Sequence, residues 1–146
     1  MPDTTEITTP GYRYTLAREI DAPPTRVWAA WTEPAHFAAW FGATPESVAL
    51  DVRPGGAWRA TPVTPTGLAR PLTGTYGDVL EHRHLVTYVD ATDRDTPDAM
   101  DLRLLDLDGR TRVVLTQVAD TAGDCMRAKR DGETLLTALA LYLDRL

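Results

Sequence analysis

Both phenylalanines and all four tryptophans of this chain lie between Trp28 and Trp58: Trp28, Trp31, Phe37, Trp40, Phe41 and Trp58. Aromatic faces offer large apolar area at small entropic cost, so such a set either stacks on a planar ligand or fills a core. One small helix pair cannot bury it alone. The set must pack on a sheet or line a cavity. Trp28 and Trp31 fit the core, whereas Trp40, Phe41 and Trp58 lie beside turns, where core and pocket rim are both open. Tyr76, Tyr88 and Gln117 are expected to point inward from strands. Gln117 continues the alternation of Val113 and Leu115, which aims it at the last helix. A buried glutamine needs partners, and a ligand or an inter-strand hydrogen bond would each serve.

Other reactive side chains lack the company that chemistry needs. His82 and His84 flank Arg83, and alternate strand residues share a face, yet no third metal ligand stands nearby. They read as exposed turn histidines. His36 sits on a short helical segment with no nucleophile to serve. Ser47 is the chain's one serine and lacks the glycine-flanked elbow of a hydrolase. Gly55-Gly56 lacks the lysine and following helix of a phosphate loop. The acid-rich stretch 90–101 lacks the glycine and final glutamate of a calcium loop and reads as solvated. Asp51 and Arg53, two apart before the Gly-Gly turn, are expected to anchor that turn. No catalytic residue, metal or cofactor is therefore assigned.

Composition limits the partners. At 146 residues the chain is most simply one domain, 11–146, after a flexible tail at 1–10. Such a length buries roughly 70% of the unfolded chain's surface, enough for a core without staples. A net charge of −6 argues against nucleic acid, which demands a basic face. Cys125 is alone, so no internal disulfide or cysteine-built metal site exists. The first residues are polar and acidic, and no apolar run reaches the ~20 residues of a membrane helix. Membrane insertion is not expected, and a cytoplasmic setting is.

The elements that must position these residues follow from periodicity. Residues 12–20 alternate as a strand, with Tyr12, Tyr14, Leu16 and Ile20 on one face. Pro23-Pro24 opens a short helix over 25–31, and Thr32 is placed to cap a second one carrying Phe37, Trp40 and Phe41. Strands are expected at 48–53, 57–61, 73–80, 85–90, 100–108 and 111–118. Asp108-Gly109 signals a hairpin, and the proline-rich stretch 62–71 a flexible loop that would suit a gate. From about residue 124 apolar residues recur every three or four positions, which predicts one long amphipathic helix. An antiparallel sheet wrapped around that helix covers every apolar face, an α+β architecture.

This order resembles the helix-grip fold of the START and birch-pollen-allergen (SRPBCC) superfamily. The motifs are most similar to the bacterial family of homologues of the activator of the heat-shock-protein-90 ATPase. They are Ala22-Pro23, Val27-Trp28, Trp31-Thr32-Glu33-Pro34, Trp40-Phe41-Gly42, Asp51-Val52-Arg53-Pro54-Gly55-Gly56, Gly74-Thr75-Tyr76, Leu85-Val86 and Thr111-Arg112-Val113. The resemblance implies a curved antiparallel sheet gripping a C-terminal helix, with two short helices after the first strand. Members include lipid and polyketide binders, cyclases, antibiotic-resistance proteins and chaperone regulators. Members usually carry Gly-Trp at the start of the last helix, where this chain has Gly132-Glu133. A carboxylate thus replaces an indole, either at the pocket mouth or facing water.

The function expected first is binding of a small apolar ligand, lipid-like, polyketide-like or aromatic, between the C-terminal helix and the sheet, as carrier, sensor or resistance protein. The residues expected around it are Trp31, Phe37, Trp40, Phe41, Trp58, Tyr76, Tyr88, Met100, Leu102, Gln117, Met126, Arg130, Glu133 and Leu136. A polyketide cyclase or aromatase is the alternative, with Glu133, His36 or Arg130 as its ionisable group. A regulator of a chaperone ATPase is the third reading, with the chaperone as partner. A homodimer through an edge strand stays open.

Overall fold

The computed structural model describes residues 4–9, 12–63, 71–90, 98–119 and 121–145. Within them lie β1 (Thr4–Thr9), β2 (Arg13–Ile20), α1 (Pro24–Thr32), α2 (Pro34–Phe41), β3 (Ala49–Leu50), β4 (Ala57–Ala60), β5 (Leu72–Leu80), β6 (His84–Val89), β7 (Asp98–Asp106), β8 (Thr111–Val118) and α3 (Ala122–Asp144). The strands form one antiparallel sheet in the order β1-β2-β8-β7-β6-β5-β4-β3. It curls around α3, with α1 and α2 following β2, the first strand that alternation marks.

Several local expectations change. Thr4–Thr9, expected as tail, pairs with β2 as an edge strand. Tyr12 precedes β2 and is exposed, so the inward face begins at Tyr14. The strand expected at 48–53 shrinks to Ala49–Leu50. Thr32 ends α1 instead of capping α2: its hydroxyl donates to the Trp28 carbonyl at 2.7 Å, and Glu33 caps α2 without a side-chain bond. Residues 64–70 of the expected gate and 91–97 of the acid-rich loop lie outside the described residues. Asp108 and Gly109 both have positive φ, 59° and 94°, as the two-residue hairpin turn requires.

Register explains how the core is built. One row of inward residues crosses five strands: Leu16 opposite Leu115, Leu115 opposite Leu102, Leu102 opposite Leu85, Leu85 opposite Val79. These four leucines are fully buried. Leu136, Leu139 and Leu143 on α3 are buried with them in one continuous core. Burial of that kind is worth about 1.5–3 kcal/mol per side chain. Thr121 caps the start of the helix, its hydroxyl accepting the Asp124 N–H at 3.0 Å. Its far end is tied to α2 by His36 Nδ1 and the Tyr142 hydroxyl, 2.6 Å apart. His36 thereby has a structural partner.

The helix comes close to the sheet at Gly132. A Cβ there would meet the Tyr14 hydroxyl at 2.7 Å and methyl groups of Leu115 and Leu16 at 3.2 Å. Gly132→Ala gains up to about 1 kcal/mol of helix propensity but overpacks the contact, which costs typically 1–3 kcal/mol. We expect a net loss of about 1 kcal/mol by urea denaturation. Adding Tyr14→Phe removes the nearest obstructing atom and should weaken the Gly132→Ala penalty, a coupling that a double-mutant cycle measures. An unchanged or raised midpoint for Gly132→Ala would show that the contact is not tight.

Candidate functional site

A cavity of about 240 Å³ lies between the first half of α3 and the sheet. Its floor is the inward row next to the leucines: Tyr14 opposite Gln117, Gln117 opposite Met100, Met100 opposite Thr87, Thr87 opposite Tyr76. Gln117, Met100, Thr87 and Tyr76 all face the space. The next row, Val89, Gly74, Trp58 and Leu50, extends it, and three of those four line it. Trp31, Phe37, Trp40 and Phe41 form one wall, and Ala128, Asp131, Gly132 and Leu135 of α3 the roof.

The aromatic wall is locked in place. Trp31 and Trp40 have ring centroids 4.9 Å apart, Phe37 and Trp40 5.3 Å, and Phe37 stacks on Phe41 at 4.7 Å. Trp40 Nε1 donates to the Ala30 carbonyl at 2.7 Å, and Trp58 Nε1 to the Tyr88 carbonyl at 2.9 Å. A buried indole N–H must find an acceptor, so these bonds hold each ring against rotation. Gly74 makes the second bond possible. A Cβ there would stand 1.8 Å from the Tyr88 carbonyl oxygen and 2.6 Å from Trp58 Nε1.

The turn at 53–56 holds Tyr76. Gly55 N–H donates to the Tyr76 carbonyl at 2.8 Å and Tyr76 N–H to the Gly56 carbonyl at 2.9 Å. Gly55 has φ 79°, and a Cβ on Gly56 would strike the Asp51 carbonyl. Arg53 Nε donates to Asp51 Oδ2 at 2.9 Å across the exposed side.

Polar groups are few. The Tyr14 hydroxyl donates to Gln117 Oε1. Burial raises the Tyr14 phenol pKa well above its usual value, and Asp131 and Cys125 add to the shift. Burial does the same to Tyr76, with Asp51 contributing.

Of the residues expected at the site, Trp31, Phe37, Trp40, Phe41, Trp58, Tyr76, Met100 and Gln117 line the cavity. Leu102 and Leu136 lie one row over, in the solid leucine core. Tyr88 alternates with Thr87 and Val89 and projects to the opposite face, where its ring closes over Gly77. Met126, Arg130 and Glu133 sit on the exposed side of α3, about 100° or more around from Ala128 and Gly132. Glu133 faces water together with Arg130 in a shallow surface groove. The unexpected lining residues are Leu50, Leu72, Thr87, Val89, Ala128, Asp131, Gly132 and Leu135. Two signals mark six of them: alternation with Leu85 for Thr87 and Val89, and spacing of three, four and seven along α3 from Ala128.

The histidines of the 82–84 triplet go to different places. His82 is a turn residue with φ 67° and meets the edge of Trp28. His84 is half-buried, its Nε2 2.9 Å from Asp101 Oδ2, and Arg103 Nε donates to the other Asp101 oxygen at 3.2 Å. Asp101 thus belongs to a strand-surface network and not to a solvated loop. No cluster of three metal-ligating side chains occurs among the described residues.

A curved sheet gripping a terminal helix over an apolar cavity defines a helix-grip protein. The chain belongs to the family described as activator of Hsp90 ATPase homolog 1-like proteins, whose model matches residues 21–144. Solved structures agree on the fold. A Rhodobacter sphaeroides protein is 24% identical, with a TM-score of 0.78 over 99% of this chain and 100% of that one. A Nitrosomonas europaea protein is 24% identical, with a TM-score of 0.77 over 91% and 94%. CalU16 of Micromonospora echinospora is 20% identical, with a TM-score of 0.71 over 95% and 82%. At such identities the likeness is one of fold. No curated protein matches the chain in sequence. No helix among the described residues is long and apolar enough to cross a membrane.

The two raised phenols predict an alkaline limit. A group whose folded pKa lies above its unfolded value stabilises the fold below the unfolded pKa and loses that contribution as pH rises. Stability should therefore fall from about pH 10 upward, where an unfolded tyrosine ionises. Urea midpoints measured between about pH 9 and pH 11 should decline, and Tyr76→Phe should make the decline shallower. An equal slope in that variant would remove Tyr76 from the explanation.

Proposed function

We propose that this protein binds one small, planar, apolar molecule in the cavity beneath α3, as a carrier or sensor. The observation that carries the reading is the hollow itself, walled by four aromatic rings and roofed by Ala128, Gly132 and Leu135. An apolar cavity of about 150 Å³ holds a benzene. A volume of 240 Å³ accordingly suits a body of about two fused rings. A long acyl or polyketide chain needs more room than that. Binding draws on burial of apolar area, about 25 cal/mol per Å² before ordering costs, and the fixed rings keep those costs low.

An acid–base enzyme would require ionisable groups paired within the cavity. Glu133 and Arg130 lie on the exposed side of α3, and His36 is engaged with Tyr142. The binding reading is the better supported of the two.

The test uses 2-naphthalenemethanol, a neutral two-ring probe. Titration should quench or shift tryptophan fluorescence saturably at one site, with a Kd of about 10–100 µM for so small a ligand. Ala128→Phe places a ring in the hollow and should weaken binding at least about tenfold while far-UV circular dichroism stays native. Undiminished binding to that variant would place the probe elsewhere and sink the cavity reading.

A further inference from the structure

The cavity carries charge of one sign. Among the described residues that line it, Asp131 is the single acid, and no lysine, arginine or histidine joins it. Asp131 stands on the roof one residue before Gly132, at the exposed end of the space. The neighbouring helical arginine at spacing four, Arg127, is committed to Asp124 at 3.0 Å. Arg130 opens onto the shallow groove on the other side of α3. Asp131 also lies near enough to the buried Tyr14 phenol to add, after burial, to its upward pKa shift.

The floor supplies the complementary polar contact. Gln117 Oε1 is taken by the Tyr14 hydroxyl, so the amide Nε2 remains to donate. A guest therefore meets a hydrogen-bond donor on the floor, aromatic faces along the wall and a carboxylate at the rim. Electron-rich indole and phenyl faces also favour a nearby cation.

Resting on the cavity reading above, we infer that the site selects organic cations: planar two-ring molecules bearing a protonated amine that Asp131 receives. Carboxylates of the same shape are rejected, because they would bring an anion to an acid with no base to answer it. Fatty acids and aromatic acids fall in the rejected class. Neutral compounds lie between.

The experiment compares three probes with one naphthalene body: 2-naphthylmethylammonium, 2-naphthalenemethanol and 2-naphthoate. Calorimetry on the intact protein at neutral pH should rank them ammonium, alcohol, carboxylate. The ammonium should bind about three- to tenfold tighter than the alcohol, the gain of a partly exposed charge pair. That advantage should shrink between about 0.02 and 0.5 M salt. Asp131→Asn should bring ammonium and alcohol to equal affinity. Asp131→Lys should move the preference toward 2-naphthoate. If the carboxylate binds as tightly as the ammonium, or the preference survives Asp131→Asn, the charge assignment is overturned and the cavity reading stands. If none of the three binds, both fall together.

Discussion

At one point the helix comes so close to the sheet that it has no room for a side chain. Gly132 allows α3 to descend until its backbone meets Tyr14, Leu16 and Leu115, and the rest of the architecture is arranged about that contact. From there toward the C-terminus, Leu136, Leu139 and Leu143 join the leucine row in one buried core. Toward the N-terminus, Ala128 and Asp131 offer little bulk, and the facing row is Gln117, Met100, Thr87 and Tyr76. One helix thus spans a packed half and a hollow half. The boundary between them is a single step of strand register.

An apolar hollow tends to collapse, because its lining forfeits dispersion contacts. Here the walls are prevented from closing. The Trp40 and Trp58 indoles are each pinned to a backbone carbonyl, Tyr76 is clamped through its backbone by the turn at Gly55 and Gly56, and Gln117 is held by Tyr14. Breaking any of these bonds to fill the void would leave a polar group without its partner, which opposes collapse. The site is preorganised, and stability in the leucine half supports it.

Family membership sets the frame and not the guest. The helix-grip fold recurs in distant proteins at 20–24% identity, while the chemistry of the hollow is set by the few side chains that line it. In this chain those are aromatic, aliphatic and amide groups with one carboxylate at the rim. The outer face carries its own order, such as Asp101 joining His84 and Arg103, which ties strands together away from the cavity.

Periodicity made most of the fold legible. Alternation located β2 and β5 to β8, Asp108-Gly109 marked the hairpin, and three-and-four spacing marked α3, because these patterns arise within one element and survive any packing. The aromatic wall was legible for the same reason, as spacing on α2 gathers Phe37, Trp40 and Phe41. Sequence alone did not decide which row of inward residues meets solid helix and which meets space. That depends on where α3 settles against strands far away in the chain, a matter of contact across Gly132. Hence Leu102 and Leu136, inward by pattern, belong to the core, and of the two positions left open for Glu133 it takes the one facing water, while Asp131 stands at the rim. A shift of two residues along the helix turns a side chain by about 200°, and only the tertiary packing sets that angle.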